Sequence, residues 1–240
     1  DRSSAVRVAA AAALGANRNE KTFPLLIAGL KDESSDVRTS IVKTLGEMGN
    51  RAAVEQLVPM LKDINSQVRH ETVRTLGKIG DVRAVVSLLE AMDDHDLWVK
   101  TEAAKTLRSL GVKALPNLVE ALSHPLAEIQ RHAVDVLSEM ASPRLHQLLI
   151  GALKNRSKHM RANAAEVFGS VGERRAVVPL LNLLDDRDYE VRERVAQALG
   201  DIGDISASIA LRQAMKDQNR VVRTAATRAL KKIMEANEIS

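Results

Sequence analysis

One stretch, Asp63 to Gly80, reads DINSQVRHETVRTLGKIG and recurs along the whole chain with changed letters on a fixed skeleton. Taking Val68 as the landmark, its equivalents are Val6, Val37, Val99, Ile129, Met160, Val191 and Val222. Successive landmarks lie 31, 31, 31, 30, 31, 31 and 31 residues apart. A fixed period of about 20–50 residues is the mark of a solenoid or repeat array, in which each unit buries its apolar face only against its neighbours.

The columns of the repeat assign its helices. Three residues before the landmark stand Ser3, Ser34, Asn65, Asp96, Leu126, Ser157, Asp188 and Asn219, seven of them helix-capping types. From the landmark, positions +4, +5, +8 and +11 are mostly apolar, as in Thr72, Val73, Leu76 and Ile79, and share one helical face. At +12 stand Gly49, Gly80, Gly111, Gly172 and Gly203, suited to the left-handed residue that ends a helix. This is helix B. Eleven residues before the landmark runs an unbroken column of Leu26, Leu57, Leu88, Leu118, Leu149, Leu180 and Leu211. Four residues later come Leu30, Leu61, Met92, Leu122, Leu153, Leu184 and Met215. That i, i+4 stripe is the buried side of a second helix, A. Helix A ends at Asp1, Asp32, Asp63, Asp94, His124, Asn155, Asp186 and Asp217.

The paired helices, the Asp column and the Val-Arg pair resemble HEAT repeats. The short period and the Gly-Asp-x-Arg-Ala-Val entry at Gly80 to Val85 resemble the subclass found in phycobilisome lyase subunits. The fold read from these columns is all-α, with eight B and seven A helices. The resemblance implies a right-handed α-solenoid of about seven to eight HEAT-like helix pairs. The segments are 1–16 (helix B alone), 17–49, 50–80, 81–111, 112–141, 142–172, 173–203 and 204–240, in one array. Because the chain starts with a helix B that has no helix A before it, a piece of a longer protein or a processed product is expected.

Composition agrees with close helix packing: hydrophobic residues make up 45%, aromatics 2%. The 35 basic and 31 acidic residues leave a net charge of +4, spread evenly over the two halves, which is not the footprint of a strongly basic nucleic-acid binder. There is no cysteine, in keeping with a reducing cytoplasm. No apolar run reaches the roughly 20 residues of a membrane span.

One repeat departs from the pattern. Gly111 runs straight into Val112, then His124 replaces Asp, Leu126 the cap, Gln130 the Arg, Ser138 the first Gly and Ala141 the second. Drift and a local change of curvature at a binding site are both open.

The column after the landmark reads Arg7, Arg38, Arg69, Lys100, Gln130, Arg161, Arg192 and Arg223. A basic row invites a phosphate reading. The Asp column matches its spacing and fails in the same repeat, so an Asp–Arg ladder between neighbouring repeats is expected instead.

Function belongs to residues that vary between copies, and in HEAT-like solenoids the B helices line the concave face. The +6 stripe there carries Lys43, Arg74 and Lys105, followed by Asp135 and Glu166. Trp98, the one tryptophan, and Tyr189, the one tyrosine, stand at the start of B helices. Exposed aromatics beside charged residues anchor protein interfaces, unless Trp98 folds onto a neighbouring repeat. Lys43, Arg74, Trp98, Lys105, Asp135, Glu166 and Tyr189 are therefore the candidate partner-binding residues.

Catalytic, cofactor and metal residues are not expected. No HExxH, phosphate loop or nucleophile elbow occurs among the six histidines and their surroundings. His70-Glu71 sits where the HEAT-like di-iron deoxyhypusine hydroxylases carry His-Glu pairs. Those enzymes need several, and the equivalent positions here are Thr39-Ser40, Thr101-Glu102, Ala162-Asn163 and Glu193-Arg194. Trp98, Lys105 and Arg74 faintly resemble the groove of HEAT-like DNA glycosylases, but Asp135, Glu166 and Glu193 would repel phosphates. The sequence points to a scaffold or adaptor that binds another protein. A phycobilin lyase-like chromophore-attachment subunit is the alternative, and nucleic-acid binding ranks third.

Overall fold

The computed structural model describes residues 2–16 and 20–238. Asp1, the first member of the Asp column, lies outside them. The chain divides into two compact units, residues 1–114 and 115–240.

In the first unit the helices are α1 (Ser4–Ala16), α2 (Phe23–Gly29), α3 (Ser35–Met48), α4 (Val54–Leu57), α5 (Ser66–Ile79), α6 (Val85–Ala91) and α7 (Leu97–Ser109). The second unit holds α8 (Leu115–Ala121), α9 (Ala127–Ser138), α10 (Pro143–Ala152), α11 (Lys158–Val171), α12 (Val177–Leu181), α13 (Tyr189–Ile202), α14 (Ser208–Ala214) and α15 (Arg220–Glu238). Odd numbers are B helices and even numbers A helices. No strand occurs among the described residues, and none of their helices is long and apolar enough to cross a membrane.

The A helices are shorter than the B helices for a local reason. Several are entered through a 3-10 turn, held by a side chain at its start. Asn50, Asp81, Glu173 and Asp204 each accept from the backbone N–H two residues on. Helix α4 is the extreme case. Pro59 has no N–H to continue the ladder, and the chain finishes as a 3-10 turn over Val58–Lys62.

The leucine column forms the core. Leu26, Leu57, Leu88, Leu118, Leu149, Leu180 and Leu211 are all at most 1 % exposed. In the second column the leucines are buried, Met92 is half-buried and Met215 is exposed, so the buried stripe is narrower at those two A helices. Of the expected caps, Asn65, Asp96, Ser157 and Asp188 accept backbone N–H groups, whereas the Ser34 side chain makes no capping bond. The five +12 glycines all have positive φ, from 61° to 73°, which any side chain would strain.

The other glycine of the skeleton has a packing job. A Cβ added at Gly46 or Gly77 would lie 2.9 Å from the threonine of the next B helix, Thr75 or Thr106. At Gly169 and Gly200 it would lie 2.7 Å from the Cα of Ala198 or Ala229. Successive B helices thus approach backbone to small residue. Gly200→Val should cost about 1–3 kcal/mol through overpacking, read in a urea melt. An unchanged midpoint would show that α15 can slide away freely.

The Asp–Arg ladder ties the repeats together. Arg7–Asp32, Arg38–Asp63 and Arg69–Asp94 pair in the first unit, Arg161–Asp186 and Arg192–Asp217 in the second. Each is bidentate, with Nε and Nη2 donating to the two carboxylate oxygens at 2.7–3.0 Å. In Arg38, Arg69 and Arg192, Nη1 donates to the carbonyl of the Asp that ends its own helix A. Every ladder Asp also accepts the N–H two residues on, which fixes the A–B turn. One guanidinium therefore joins three segments, with Nε, Nη1 and Nη2 each donating to protein.

The irregular repeat keeps the turn and loses the ion pair. His124 Nδ1 accepts from Leu126 N–H at 3.2 Å in place of the carboxylate. Gln130 Nε2 donates to His124 O at 2.6 Å in place of the guanidinium. Asn163 Nδ2 then reaches from α11 to Gln130 Oε1 and Leu122 O, a neutral amide tie between α9 and α11.

Candidate functional site

From α3 to α13 the core claims positions 0, +4 and +8 of the B helices, which leaves +6 on the free side. In the first unit this exposes Lys43 on α3, Arg74 on α5 and Lys105 on α7. Their charge is partly offset by their own helices. Arg74 Nη1 donates to Glu71 Oε2 at 3.1 Å, and Lys105 Nζ lies 3.8 Å from Glu102 Oε2, both i, i+3 pairs. Glu71 is only 8 % exposed, so Arg74 is the counter-ion of a nearly buried carboxylate. That engages the acid of the His70-Glu71 pair.

Trp98 does not fold onto a neighbouring repeat. Its backbone N–H is held by Asp96 Oδ1 at 2.8 Å as part of the α7 cap, while its side chain projects outward and the residue is 76 % exposed. Leu97 beside it is 73 % exposed. The cap fixes the backbone and leaves two large apolar side chains in water, an arrangement with no part in the core.

In the second unit Asp135 is exposed on α9 and Glu166 half-buried on α11. Arg194 of α13 donates to the Glu166 carboxylate. Burial pushes the Glu166 carboxyl above the usual range, Asp135 and Asp201 push it the same way, and Arg194 opposes them. Tyr189 opens α13 and is 43 % exposed. It borders a shallow hollow with Arg187, Gln218 and Asn219. So the structure puts Lys43, Arg74, Lys105 and Trp98 on the B helices of one unit and Asp135, Glu166 and Tyr189 on those of the other.

Two cavities were not legible in the repeat pattern. One, of about 840 Å³, lies in the first unit beside the Pro59 break, lined by Val58, Pro59, Leu61, Glu90 and Ala91 among others. Its charged rim is largely committed, with Arg69 on Asp94 and Lys62 at 3.4 Å from Glu90. The other, of about 250 Å³, sits in the second unit between α10 and α11.

Comparison with known proteins agrees with this geometry. The family model described as HEAT repeats matches residues 1–66, 41–108 and 146–231, and these matches leave out the irregular repeat. No curated protein sequence matches the chain. Among solved structures, Kap95p in its complex with RanGDP is 14% identical over 95% of this chain and 38% of its own, with a TM-score of 0.51. Human deoxyhypusine hydroxylase is 22% identical over 97% of this chain and 98% of its own, with a TM-score of 0.43. The CpcE–CpcF complex of phycocyanin lyase from a Nostoc species is 23% identical over 89% of this chain and 87% of its own, with a TM-score of 0.39. With paired helices, buried leucine columns and the ladder all in place, and the family model matching well over half of its residues, the chain belongs to the HEAT-repeat family.

Proposed function

We propose that this chain is a non-catalytic interaction scaffold, an adaptor that takes another protein on the free face of its B helices in the cytoplasm. The observation that carries the reading is Trp98, 76 % exposed beside an equally free Leu97 in a chain with few aromatics. Large aromatics held in water by a rigid cap are the residue type that dominates interface energies. Around it the face varies from repeat to repeat while the core columns stay constant. Lys43, Arg74 and Lys105 in one unit and Asp135 and Glu166 in the other carry opposite charges, and Tyr189 adds an exposed aromatic. Charges of this kind steer encounter more than they add affinity.

A photo-crosslinking residue placed at Thr101, exposed on α7 one turn after Leu97, identifies the partner, and variants then test the face. Trp98→Ala should weaken that partner about 30-fold or more, the equivalent of about 2 kcal/mol for a hot spot. Lys43→Glu is the charge probe of choice, because Arg74→Glu would set a second carboxylate against Glu71 and disturb the fold. Gln56→Arg on the exposed surface of α4 is the control and should leave binding unchanged. Silence of Trp98→Ala and Lys43→Glu together with loss on Gln56→Arg would move the site to the A-helix surface.

A further inference from the structure

Arg223 is a ladder arginine with an open end. In Arg38, Arg69 and Arg161, Nη1 donates to the carbonyls five and six residues back, which sets the guanidinium in place. Arg223 repeats this half of the rung: its Nη1 donates to Asp217 O at 2.7 Å and to Gln218 O at 3.0 Å. Its Nε and Nη2 have no partner among the described residues, and neither atom is buried. The five filled rungs show what such a fork takes, two carboxylate oxygens at 2.7–3.0 Å.

The surroundings of this fork differ from those between repeats. Ten residues before the landmark the earlier A helices carry Ile27, Val58, Leu89, Val119, Ile150 and Leu181, whereas α14 carries Arg212. Leu181 lines the hollow between α12 and α14. The same register turns Arg212 to the side of α14 away from α12, and Arg212 is exposed. On α15, Thr227 stands where α11 and α13 bury Ala165 and Ala196. Lys231 stands where Gly169 and Gly200 admit the next B helix. Polar side chains thus replace the residues on which a further helix pair would stack, while the arginine keeps its rung pose.

The charges there are of one sign. Arg212 and Arg220 are exposed and make no ion pair among the described residues. Of the acids close by, Asp217 is held by Arg192, and Asp185 borders the α12–α14 hollow with Lys216. Ile209 and Val221 are exposed on the same two helices. A guanidinium fork matches a carboxylate or a phosphate. The filled rungs of this chain are all carboxylates, which favours an acidic protein segment.

We propose that the turn between α14 and α15, with the side of α14 that carries Arg212, docks an acidic segment of another polypeptide, one carboxylate of which fills the Arg223 fork as Asp217 fills that of Arg192.

The probe is a short labelled peptide of repeated Asp-Leu-Asp-Ala, with Asn-Leu-Asn-Ala as its neutral twin. Both are titrated into the whole chain, followed by fluorescence anisotropy and by the arginine Nε–H signals in NMR. The acidic peptide should bind and move the Arg223 signal while that of Arg192 stays in place, and the neutral twin should do neither. Arg223→Lys keeps the charge and loses the fork, and should weaken binding about tenfold. Arg212→Gln, which breaks no hydrogen bond recorded for the fold, should also weaken it. Lys31→Gln, on an exposed lysine of the first unit, should change nothing. Trp98→Ala should be silent as well, so this site and the Trp98 face stand or fall separately. An Arg223 signal that stays put at saturating peptide, or equal binding of the two peptides, would overturn the assignment without any variant. So would a single-stranded oligonucleotide that binds tighter and moves the same signal, which would make the fork a phosphate site. Self-association in sedimentation that Arg223→Lys abolishes would also overturn it, by making the occupant a second copy of this chain.

Discussion

Arg161→Met should destabilise the second unit by about 3–5 kcal/mol at neutral pH, the cost of stranding one member of a buried ion pair. Arg161 is 5 % exposed and the Asp186 side chain 7 %. Besides its two bonds to Asp186, the guanidinium donates to Asn155 O and Arg156 O at 2.9 and 3.0 Å. Methionine fills much of the volume and supplies none of these donors. Asp186 is then left with the Asp188 N–H. Arg161→Lys should also lose stability, since an ammonium cannot engage both oxygens in the planar fork geometry.

The pH dependence has a definite sign. Burial works to raise the Asp186 carboxyl, but the Arg161 bond, the Asp188 N–H and the Arg161 and Arg187 charges outweigh it, and the net shift is downward. A carboxyl depressed in the folded state contributes stability above its unfolded pKa and loses it as pH falls through the folded value. The unaltered chain should therefore weaken in acid below the ordinary aspartate range. The penalty of Arg161→Met should be largest at neutral pH and shrink towards acid, where Asp186 is protonated. Urea melts at pH 7 and pH 3 check both. A penalty of the same size at the two pH values would show that lost packing, not the pair, is responsible.

Leu149→Ala should cost about 2–5 kcal/mol, as deletion of a buried leucine side chain does. Leu149 is 1 % exposed and stands in the column that every A helix shares. It also lines the cavity beside Phe168, so truncation enlarges a space that already exists instead of opening one that neighbours can refill. That puts the expected loss toward the upper part of the range, because the cost grows with the cavity left behind. A loss below about 1 kcal/mol in a urea melt would mean that α10 presents a different face to the core.

What could be read from the letters was what recurs. The ladder partners follow from two columns that share a period and fail together, and the structure joins Arg38 to Asp63 and Arg69 to Asp94. The left-handed glycines follow from position alone. The other glycine column was visible, but its reason was not, because the backbone approach of Gly169 to Ala198 is a contact between repeats. Features confined to one repeat were harder still. The bases of the +6 stripe looked like a clear positive ridge, yet Glu71 and Glu102 sit one helical turn away and offset Arg74 and Lys105. His146 carried no signal as a lone histidine, since its column holds Ser208 as well as Val85 and Leu115. Nothing in a period predicts the cavity between α10 and α11.

The reading of the repeat rests on the basic column being a tie between repeats and not a row of anion sites. A double-mutant cycle on Arg161 and Asp186 tests this most directly, with Arg161→Met, Asp186→Leu and the two together compared in urea melts. If the pair is a tie, each single change strands a buried partner, and the double variant recovers about 2 kcal/mol or more of the summed loss. Losses that add to within about 0.5 kcal/mol would show the two groups to be independent and would return the arginine column to the candidate list for binding anions.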